Sequence, residues 1–487
     1  MKVPPQIKAG AAPGGAAVLT SDPGAVLEEM LKLRERVLRS LPDNSPIFVA
    51  QAPGRLDVMG ALADYTGSLV LSLPVGKQVC AAVQPRGDST VHLTVFGAET
   101  HNGAQPVVLS LEALRMADKA VIDAVAGREL VGGLRDVRLL SALGVLVEAV
   151  RQRVLPDLGS GFTVVVGSGL DAHSELADDA AVASAVLAAA ALARGVRLDP
   201  KVALAICHRV QTDWINVPVG MSDAACTLLG KLNALTQVRC DAMSCGEPIP
   251  LPEGIELCGL DCGTAQTDAG QKYLRVRTAT FMGRLLIERI VQHDGAQRLP
   301  WDGSLSRVSV NDYVERFRDR LPTKFKGADF IDRFGESVDP LTEIEPDFVY
   351  KIRSRTEHHI YENVRAVQFA ECISRAGRTG REQPLLEAGE LMYASHWSYG
   401  QRCGLGSVPT DLMVNLLRRQ GPAADIYGAK VSGRGLGGVV TVLMRASSSA
   451  RAALERAREA FQAKTGRCSL AVCGSSPGAL VAGASTV

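Results

Sequence analysis

The chain has 487 residues, of which 46% are apolar and 22% are charged. This length allows two or more domains with an ample buried core. Basic and acidic residues nearly balance, 53 against 52, for a formal net charge of +1. Because nucleic-acid and membrane-surface partners require a concentrated basic field, we expect neither.

Residues 1–22 are dominated by Gly, Ala and Pro, which predicts a flexible tail and not a signal peptide. No stretch of the sequence reaches the ~18 consecutive apolar residues of a membrane span. The eleven cysteines form no CxxC pair and no zinc-type spacing. They therefore predict reduced, buried thiols in a cytoplasmic protein.

The first helix is predicted from Gly24 to Leu41, where apolar residues fall largely on one stripe. The following segment, IFVAQAPGRLDVMG, predicts a strand that runs into a Pro-Gly turn. Further strands are predicted at LVLSLPVGKQVCAAVQP and at VHLTVFGA, which are rich in Val and Leu.

Helices and strands continue without a steady βαβ rhythm, which favours an α+β fold. Residues 137–154 predict a helix, and FTVVVGSGL predicts a strand. An alanine-rich helix is expected from Asp179 to Arg194, before a glycine stop. Strands recur at 256–263 and 439–446, and the charged region 294–345 predicts an insertion.

The first motif is APGRLDVMGALADYTG, beginning at residue 52. It resembles the first signature of galactokinase-like GHMP kinases. It is more similar to the L-arabinokinase variant, because Ala61 and Leu62 stand where galactokinases have Glu and His. The resemblance implies that Asp64 accepts hydrogen bonds from two sugar hydroxyls, strengthened by its charge. It also places Arg55 beside the catalytic carboxylate. Taken alone, the motif would fit an ordinary turn with solvated side chains.

The second motif, VPVGMSD, ends at Asp223 and resembles the family's Pro-Cys-Gly-x-Met-Asp. The resemblance implies that Asp223 orients or deprotonates the attacking hydroxyl, since phosphoryl transfer leaves little other covalent work to the protein. Gly220 would let the backbone approach the sugar. The later segment GLDCGTAQTDAGQKYLRVR is similar to an arabinokinase pattern in which Tyr273 contacts the sugar. The family's Arg-His-Ser is replaced there by residues 265–267, Ala-Gln-Thr.

The third motif, YGAKVSGRGLGG, resembles the family's late glycine-rich loop, which packs close to the substrates. Gly433, Gly435 and Gly437 would lie near the nucleotide. Arg434 and Leu436 replace a glycine and a small residue of the family pattern.

The family's phosphate loop, rich in glycine and serine, aligns with DAHSELADDAA at residues 171–181. The glycines are gone, and Asp178 and Asp179 replace serines. Both residues can cap the following helix. However, a carboxylate about 4 Å from a phosphate charge costs on the order of 4 kcal/mol at an effective dielectric of ~20. We therefore expect weak ATP binding.

Magnesium binding is altered in the same region. The family's metal-binding Glu aligns with Gln211, which lacks the charge, and Asp213 is a doubtful substitute because it points in a different direction from the helix. Asp178 or Asp179 could replace the serine ligand of Mg²⁺. The cluster of Asp171, His173, Glu175, Asp178 and Asp179 could also be a new metal site, although a solvated acidic turn is the simpler interpretation.

The resemblance implies a two-lobed GHMP kinase fold, with residues 23–235 as the N-terminal lobe, 236–487 as the C-terminal lobe and the site in the cleft between them. It predicts a sugar kinase that uses ATP and Mg²⁺ to phosphorylate the anomeric hydroxyl of L-arabinose, galactose or a related sugar. The alternative is a catalytically inactive relative, without a cofactor, that binds a sugar as a sensor or scaffold. The sequence indicates neither the particular sugar nor an oligomeric state.

Overall fold

The computed structural model describes residues 23–42, 45–97, 106–116, 137–155, 160–170, 174–263, 269–295, 301–335, 339, 341–435 and 438–487. The predicted tail at residues 1–22 lies outside them. Helices and mixed sheets alternate along the chain, so the predicted α+β class is confirmed. Every helix within the described ranges is too short or too polar to cross a lipid bilayer.

The strands are β1 (Phe48–Met59), β2 (Leu69–Pro85), β3 (Thr90–Gly97), β4 (Val107–Ser110), β5 (Phe162–Ser168), β6 (Ala234–Arg239), β7 (Ser244–Cys245), β8 (Ile249–Pro250), β9 (Ile255–Asp261), β10 (Phe325–Lys326), β11 (Val349–Tyr350), β12 (Ile426–Val431), β13 (Val439–Arg445), β14 (Leu470–Val472) and β15 (Ser485–Thr486).

The helices are α1 (Pro23–Arg39), α2 (Leu111–Met116), α3 (Val137–Arg151), α4 (Asp178–Ala193), α5 (Pro200–Arg209), α6 (Ser222–Leu229), α7 (Ala269–His293), α8 (Gly327–Phe334), α9 (Ile352–Thr379), α10 (Gln383–Ser398), α11 (Val408–Gln420), α12 (Ser448–Thr465) and α13 (Ala479–Ala482), with a helical turn at Val310–Asp312. Short 3-10 helices lie at Ala61–Thr66, Leu305–Arg307 and Pro422–Ala424, and π-helical turns at Val210–Trp214, Tyr313–Phe317 and Tyr399–Cys403.

The first sheet has the order β15-β1-β2-β5-β3-β4, with β6 paired to β2 and the short β7 and β8 paired to β6. Strand β2 is long and pairs with two strands on the same edge: its first part pairs with β6 and its second part with β5. Side chains alternate across β2, so Val79 and Ala81 face one side of the sheet and Cys80 faces the other. Helix α1 covers the second side, and α4 covers the first, with α3 packed on α4.

Strand β1 corrects one prediction. The expected Pro-Gly turn is absent, and the strand continues through Pro53 and Gly54 with a register shift between Pro53 and Arg55. A bulge accommodates a proline that cannot donate to the ladder. A side chain at Gly54 would come within 2.6 Å of the Leu170 side chain and 2.9 Å of the Leu176 carbonyl oxygen. The glycine therefore allows the loop before α4 to pack directly on β1.

Helix α4 begins and ends within one residue of the predicted alanine-rich helix. Nearly all of its residues are buried, and it packs on β1, β2 and α3. A helix that is apolar all round is expected in such a central position, and its small side chains allow close approach of the sheet. This packing fixes the N-terminus of α4 next to the bulge that carries Arg55.

The second sheet has the order β12-β13-β9-β14, covered by α11 and α12. Its register places Val472 opposite Gly259, and the next pair, Cys258 and Cys473, forms a disulfide with a Cα–Cα distance of 4.7 Å. The prediction of reduced thiols is therefore wrong for this pair. The two cysteines are 215 residues apart in sequence, and only the sheet brings them together. The other cysteines are free.

Trp301, Phe317 and Phe330 of the predicted insertion are buried in one cluster with residues of α7 and α9 and with Tyr350 of β11. The two sheets are joined by a fully buried ion pair, in which Lys430 Nζ lies 2.8 Å from Asp57 Oδ2. The lobe boundary at residue 235 stays a prediction. Strand β6 runs through it, and β15 returns to the first sheet.

Candidate active site

The centre of the site is a buried pair between Arg55 on β1 and Asp223 in the first turn of α6. Arg55 Nε donates to Asp223 Oδ1 at 2.8 Å, and Nη2 donates to the same oxygen. The residues are only 5% and 6% exposed. Burial alone would lower the pKa of Arg55, but the carboxylates of Asp223 and Asp57 outweigh it and hold that pKa above its ordinary value. The structure thus brings together the two residues predicted to be catalytic.

Asp64 lies on the 3-10 helix that follows β1. Its Oδ2 accepts from the Gly220 N–H at 2.6 Å, and its Oδ1 accepts from the Tyr65 N–H at 2.5 Å. Burial raises the pKa of Asp64 to about 6, partly opposed by the Gly220 N–H, and the charge of Asp223 adds to the rise. A side chain at Gly220 would approach Asp64 Oδ2 to 2.7 Å. The close approach that requires glycine here is therefore to Asp64 itself.

Tyr273 and Arg277 lie one turn apart on α7 and hold the loop that precedes Asp223. The Tyr273 hydroxyl donates to the Pro218 carbonyl oxygen at 2.7 Å, and Arg277 Nη1 donates to the same oxygen at 2.9 Å. Arg277 also forms a two-point ion pair with Asp339, at 2.7 and 2.8 Å. The sequence analysis missed Arg277. Its position four residues after Tyr273, on the same helix face, is the signal that could have found it.

The loop before α4 has an unusual backbone. Glu175 and Ala177 both have left-handed conformations, with φ of 54° and 59°. For residues with a Cβ atom this conformation costs roughly 1–2 kcal/mol each. Glu175 aligns with a glycine of the family's phosphate loop, and glycine adopts this conformation without strain. Strain of this kind is typical of functional loops.

Asp178, the first residue of α4, is turned into the protein. It is 8% exposed, pairs with Arg138 Nε and accepts from Ser168 Oγ at 2.6 Å. Burial raises the pKa of Asp178, although Arg138 and Ser168 oppose the rise. Arg138, on α3, was not predicted to be near the site, because nothing in its local sequence indicates a partner 40 residues away.

Asp179 is linked to Asp223 of the catalytic pair by the side-chain amide of Gln211. The Gln211 amide nitrogen donates to Asp179 Oδ2 at 2.9 Å and to Asp223 Oδ2 at 3.4 Å, and Gln211 is 1% exposed. Burial and the nearby charge of Asp223 raise the pKa of Asp179. Asp213 is exposed and accepts from its neighbour Thr212.

The described residues offer no magnesium site made of protein side chains alone. Among them, no group of three or more His, Cys, Asp or Glu side chains could hold a metal. Asp178 is bound to Arg138, and Asp179 is bound to a neutral amide. Two members of the predicted acidic cluster, Asp171 and His173, lie outside the described residues, as do residues 265–267.

The late glycine-rich loop approaches the loop before α4. Gly433 and Gly435 have φ of 60° and 79°, and Gly437 lies outside the described residues. A side chain at Gly433 would come within 2.9 Å of Glu175 Oε2. Between the two glycines, Arg434 Nε lies 3.6 Å from Glu175 Oε1. The structure thus brings together the two loops that were predicted to contact the nucleotide.

Tyr399 connects the two sides of the site. Its hydroxyl accepts from the Leu62 N–H at 3.2 Å and donates to the Gly433 carbonyl oxygen at 3.1 Å. Leu62 belongs to the 3-10 helix that carries Asp64. A single buried phenol therefore bridges the predicted sugar-binding helix and the glycine-rich loop.

A cavity of about 350 Å³ lies beside Asp64. Its lining includes Asp64, Gly220, Arg277, Phe281 and Arg307, but not Arg55, Asp223 or Tyr273. The cavity therefore reaches Asp64, the residue predicted to bind the sugar, but not the Arg55–Asp223 pair.

The chain is similar in sequence to known sugar kinases. The family model for the galactokinase galactose-binding signature matches residues 40–85. The L-arabinokinase of Arabidopsis thaliana is 28% identical over 486 residues, which cover 89% of this chain and 46% of that protein. The chain thus spans about half the length of this plant relative. A galactokinase of Chloroflexus aggregans is 22% identical, covering 82% of this chain and 85% of its own.

Solved structures show the same fold. Lactococcus lactis galactokinase, complexed with galactose, superimposes with a TM-score of 0.70 at 16% identity, covering 92% of this chain and 99% of its own. Methanococcus jannaschii mevalonate kinase gives a TM-score of 0.54 at 11% identity, covering 89% and 100%. The predicted resemblance to galactokinase-like GHMP kinases is therefore confirmed. The sequence relatives are named sugar kinases, which supports a phosphotransferase.

Proposed function

We propose that this chain is a sugar kinase that transfers the terminal phosphoryl group of ATP to the anomeric hydroxyl of L-arabinose, galactose or a related monosaccharide. The observation that carries the proposal is the buried Arg55–Asp223 pair beside the Asp64–Gly220 contact. Phosphoryl transfer depends mainly on positioning and on one group that accepts the hydroxyl proton, and this arrangement supplies both.

Asp223 acts as the base. Its Oδ1 is occupied by Arg55, whereas Oδ2 accepts only the long 3.4 Å bond from Gln211 and keeps a lone pair for the proton of the attacking hydroxyl. Arg55 compensates the charge of this carboxylate. Its Nη1 is buried and has no hydrogen-bond partner among the described residues, so it can donate to a sugar oxygen.

Asp64 holds the sugar. Each of its carboxylate oxygens accepts one backbone N–H and keeps a lone pair for a sugar hydroxyl. A charged acceptor makes each such bond stronger than a neutral one would. Gly220 and Tyr273 complete the pocket by fixing the loop that leads to Asp223. No step is assigned to a magnesium ion, because the described residues form no group of three or more ligands that could hold one without the nucleotide.

A second candidate is a sugar-binding protein without phosphoryl transfer. It is favoured by the carboxylates at the start of α4 and by the neutral Gln211 between Asp179 and Asp223. The carboxylates repel the negative charge of a triphosphate, and the neutral Gln211 cannot hold a metal ion that would offset this repulsion. The two candidates make the same prediction for the sugar and opposite predictions for the nucleotide.

Calorimetric titration with ATP, with L-arabinose and with galactose, each alone, separates the candidates. A parallel assay measures sugar-dependent ADP release. The kinase proposal predicts both kinds of binding and an ADP signal that Asp223→Asn lowers by about 10²-fold or more. Asp347→Asn, at a fully exposed carboxylate, is the matched control and should leave the rate unchanged. Sugar binding without nucleotide binding would favour the second candidate, and no sugar binding would reject both.

A further inference from the structure

Arg434 is the feature that the proposed function leaves unused. The two left-handed glycines on either side of it turn its side chain toward the loop before α4. Its guanidinium lies 5.7 Å above the ring of Tyr273 and makes one loose contact, at 3.6 Å, with Glu175. The Arg434 side chain is 31% exposed, whereas that of Glu175 is 12% exposed. Arg434 is thus a cation at the edge of the cleft, and its contact with Glu175 is loose enough for a ligand to replace it.

The neighbouring charges show why a cation is needed at this place. Glu175, Asp179 and Asp223 bring three carboxylates to one end of the cleft, and Arg434 is electrostatically coupled to all three. Arg55 donates two of its N–H groups to Asp223, which compensates its charge, and Gln211 offers only a neutral amide. A polyphosphate entering here without a further cation would meet unfavourable charge on most sides.

Two departures from the family pattern are complementary. Where that pattern has a glycine and a metal-binding Glu, this chain has Arg434 and Gln211. The chain thus has a fixed positive charge at the first position and no carboxylate for a metal ion at the second. An arginine fork matches phosphate oxygens in a two-point geometry that a single backbone N–H does not provide. Arginine side chains also stabilise the charge that develops during phosphoryl transfer.

We propose that Arg434 binds the polyphosphate of the nucleotide and supplies there the positive charge that a magnesium ion held by the protein would otherwise supply. This inference rests on the proposed function, because it assumes that the cleft receives a nucleotide. On binding, the guanidinium exchanges its contact with Glu175 for phosphate oxygens. Its charge then offsets Asp179 and Asp223 from the opposite side of the ligand.

The test measures binding without catalysis. The full-length chain is titrated with inorganic tripolyphosphate and with ATP, both in EDTA, so that no metal contributes. We expect the wild type to bind both, Arg434→Gln to bind at least tenfold more weakly, and Arg434→Lys to lie between them. Arg445→Gln is the matched control, since Arg445 also pairs with carboxylates near the same sheet but away from the cleft, and it should leave binding unchanged.

A second variant protects the test against misfolding. Glu175→Gln releases Arg434 without changing it and should tighten tripolyphosphate binding. Equal or tighter binding by Arg434→Gln would overturn the inference, because Arg434 would then block the cleft. It would also be overturned if the wild type bound polyphosphate only with Mg²⁺ or not at all. Polyphosphate binding that depends on Arg434, without any sugar-dependent ADP release, would sustain the inference and reject the proposed function.

Discussion

Gln211 offers the sharpest test of the charge arrangement in the site. Its amide nitrogen lies 2.9 Å from Asp179 Oδ2 and 3.4 Å from Asp223 Oδ2, so Gln211→Glu exchanges a neutral donor for a third carboxylate with almost no change in shape. We expect the variant to be less stable than the wild type without metal and to be restabilised by Mg²⁺. The wild type should respond weakly to Mg²⁺, because its two carboxylates are already bridged.

The magnitude follows from the two distances. Like charges 4 Å apart repel by about 4 kcal/mol at an effective dielectric of 20, so two contacts at these distances would cost up to about 10 kcal/mol if every group stayed ionised. One carboxyl will take up a proton instead, and we expect a loss of about 3–5 kcal/mol. With an unfolding entropy of about 2 cal/mol/K per residue, a chain of 487 residues loses about 1 °C of Tm per kcal/mol, or 3–5 °C in total.

Thermal unfolding at pH 7.5, with and without MgCl₂, measures both effects. Magnesium at 100 times its Kd should return about 2.7 kcal/mol to the variant. Gln211→Met is the control, because it removes the hydrogen bonds without adding charge and should not respond to Mg²⁺. An unchanged Tm for Gln211→Glu, or equal stabilisation of the wild type by Mg²⁺, would refute the described arrangement of Asp179, Gln211 and Asp223.

The further predictions concern three other residues, Asp64, Glu175 and Lys430. Because burial raises the pKa of Asp64 to about 6, sugar affinity measured by calorimetry should fall about tenfold per pH unit below that value, and a flat profile from pH 5 to 7 would exclude Asp64 as the sugar ligand. Stability changes with pH in the opposite direction from sugar affinity. The native state holds the Asp64 proton more tightly than the unfolded state does, so the free energy of unfolding, relative to Asp64→Asn, should fall by up to about 3 kcal/mol as the pH rises from 4 through 6. Glu175→Gly should stabilise the fold by about 1 kcal/mol in urea unfolding, since glycine adopts φ of 54° without strain, whereas Glu175→Ala should not; equal effects would mean that the gain has another cause. Lys430→Met should cost about 3–5 kcal/mol because it leaves Asp57 buried and unpaired, and adding Asp57→Asn should recover much of the loss; an additive loss in the double variant would contradict the pairing.

The regular elements were largely predictable, because local periodicity determines them. The alanine-rich composition of α4 allowed its bounds to be predicted within one residue. The Pro-Gly dipeptide in β1 was misinterpreted because a turn and a bulge share the same residues. What decides between them is the loop before α4, which packs on Gly54 from more than a hundred residues away.

The candidate site likewise has a part that the sequence predicted and a part that it did not. The motifs that carry Arg55, Asp64 and Asp223 led to residues that the structure places together. The ion pairs that support them could not be predicted, since Asp57 and Lys430 are 373 residues apart and Arg277 and Asp339 are 62 apart. A single sequence carries no signal for such pairing, because each partner looks like an ordinary charged residue until the fold brings the two together.

The phenol of Tyr399 has a consequence for how the two ligands affect each other. It is hydrogen-bonded at once to the helix that carries Asp64 and to the loop that carries Arg434. A sugar that shifts this helix must either move the loop with it or break one of the two bonds. We therefore expect a sugar that shifts the helix to change the affinity of the other half of the cleft, and by thermodynamic reciprocity a nucleotide would then alter the sugar affinity by the same factor.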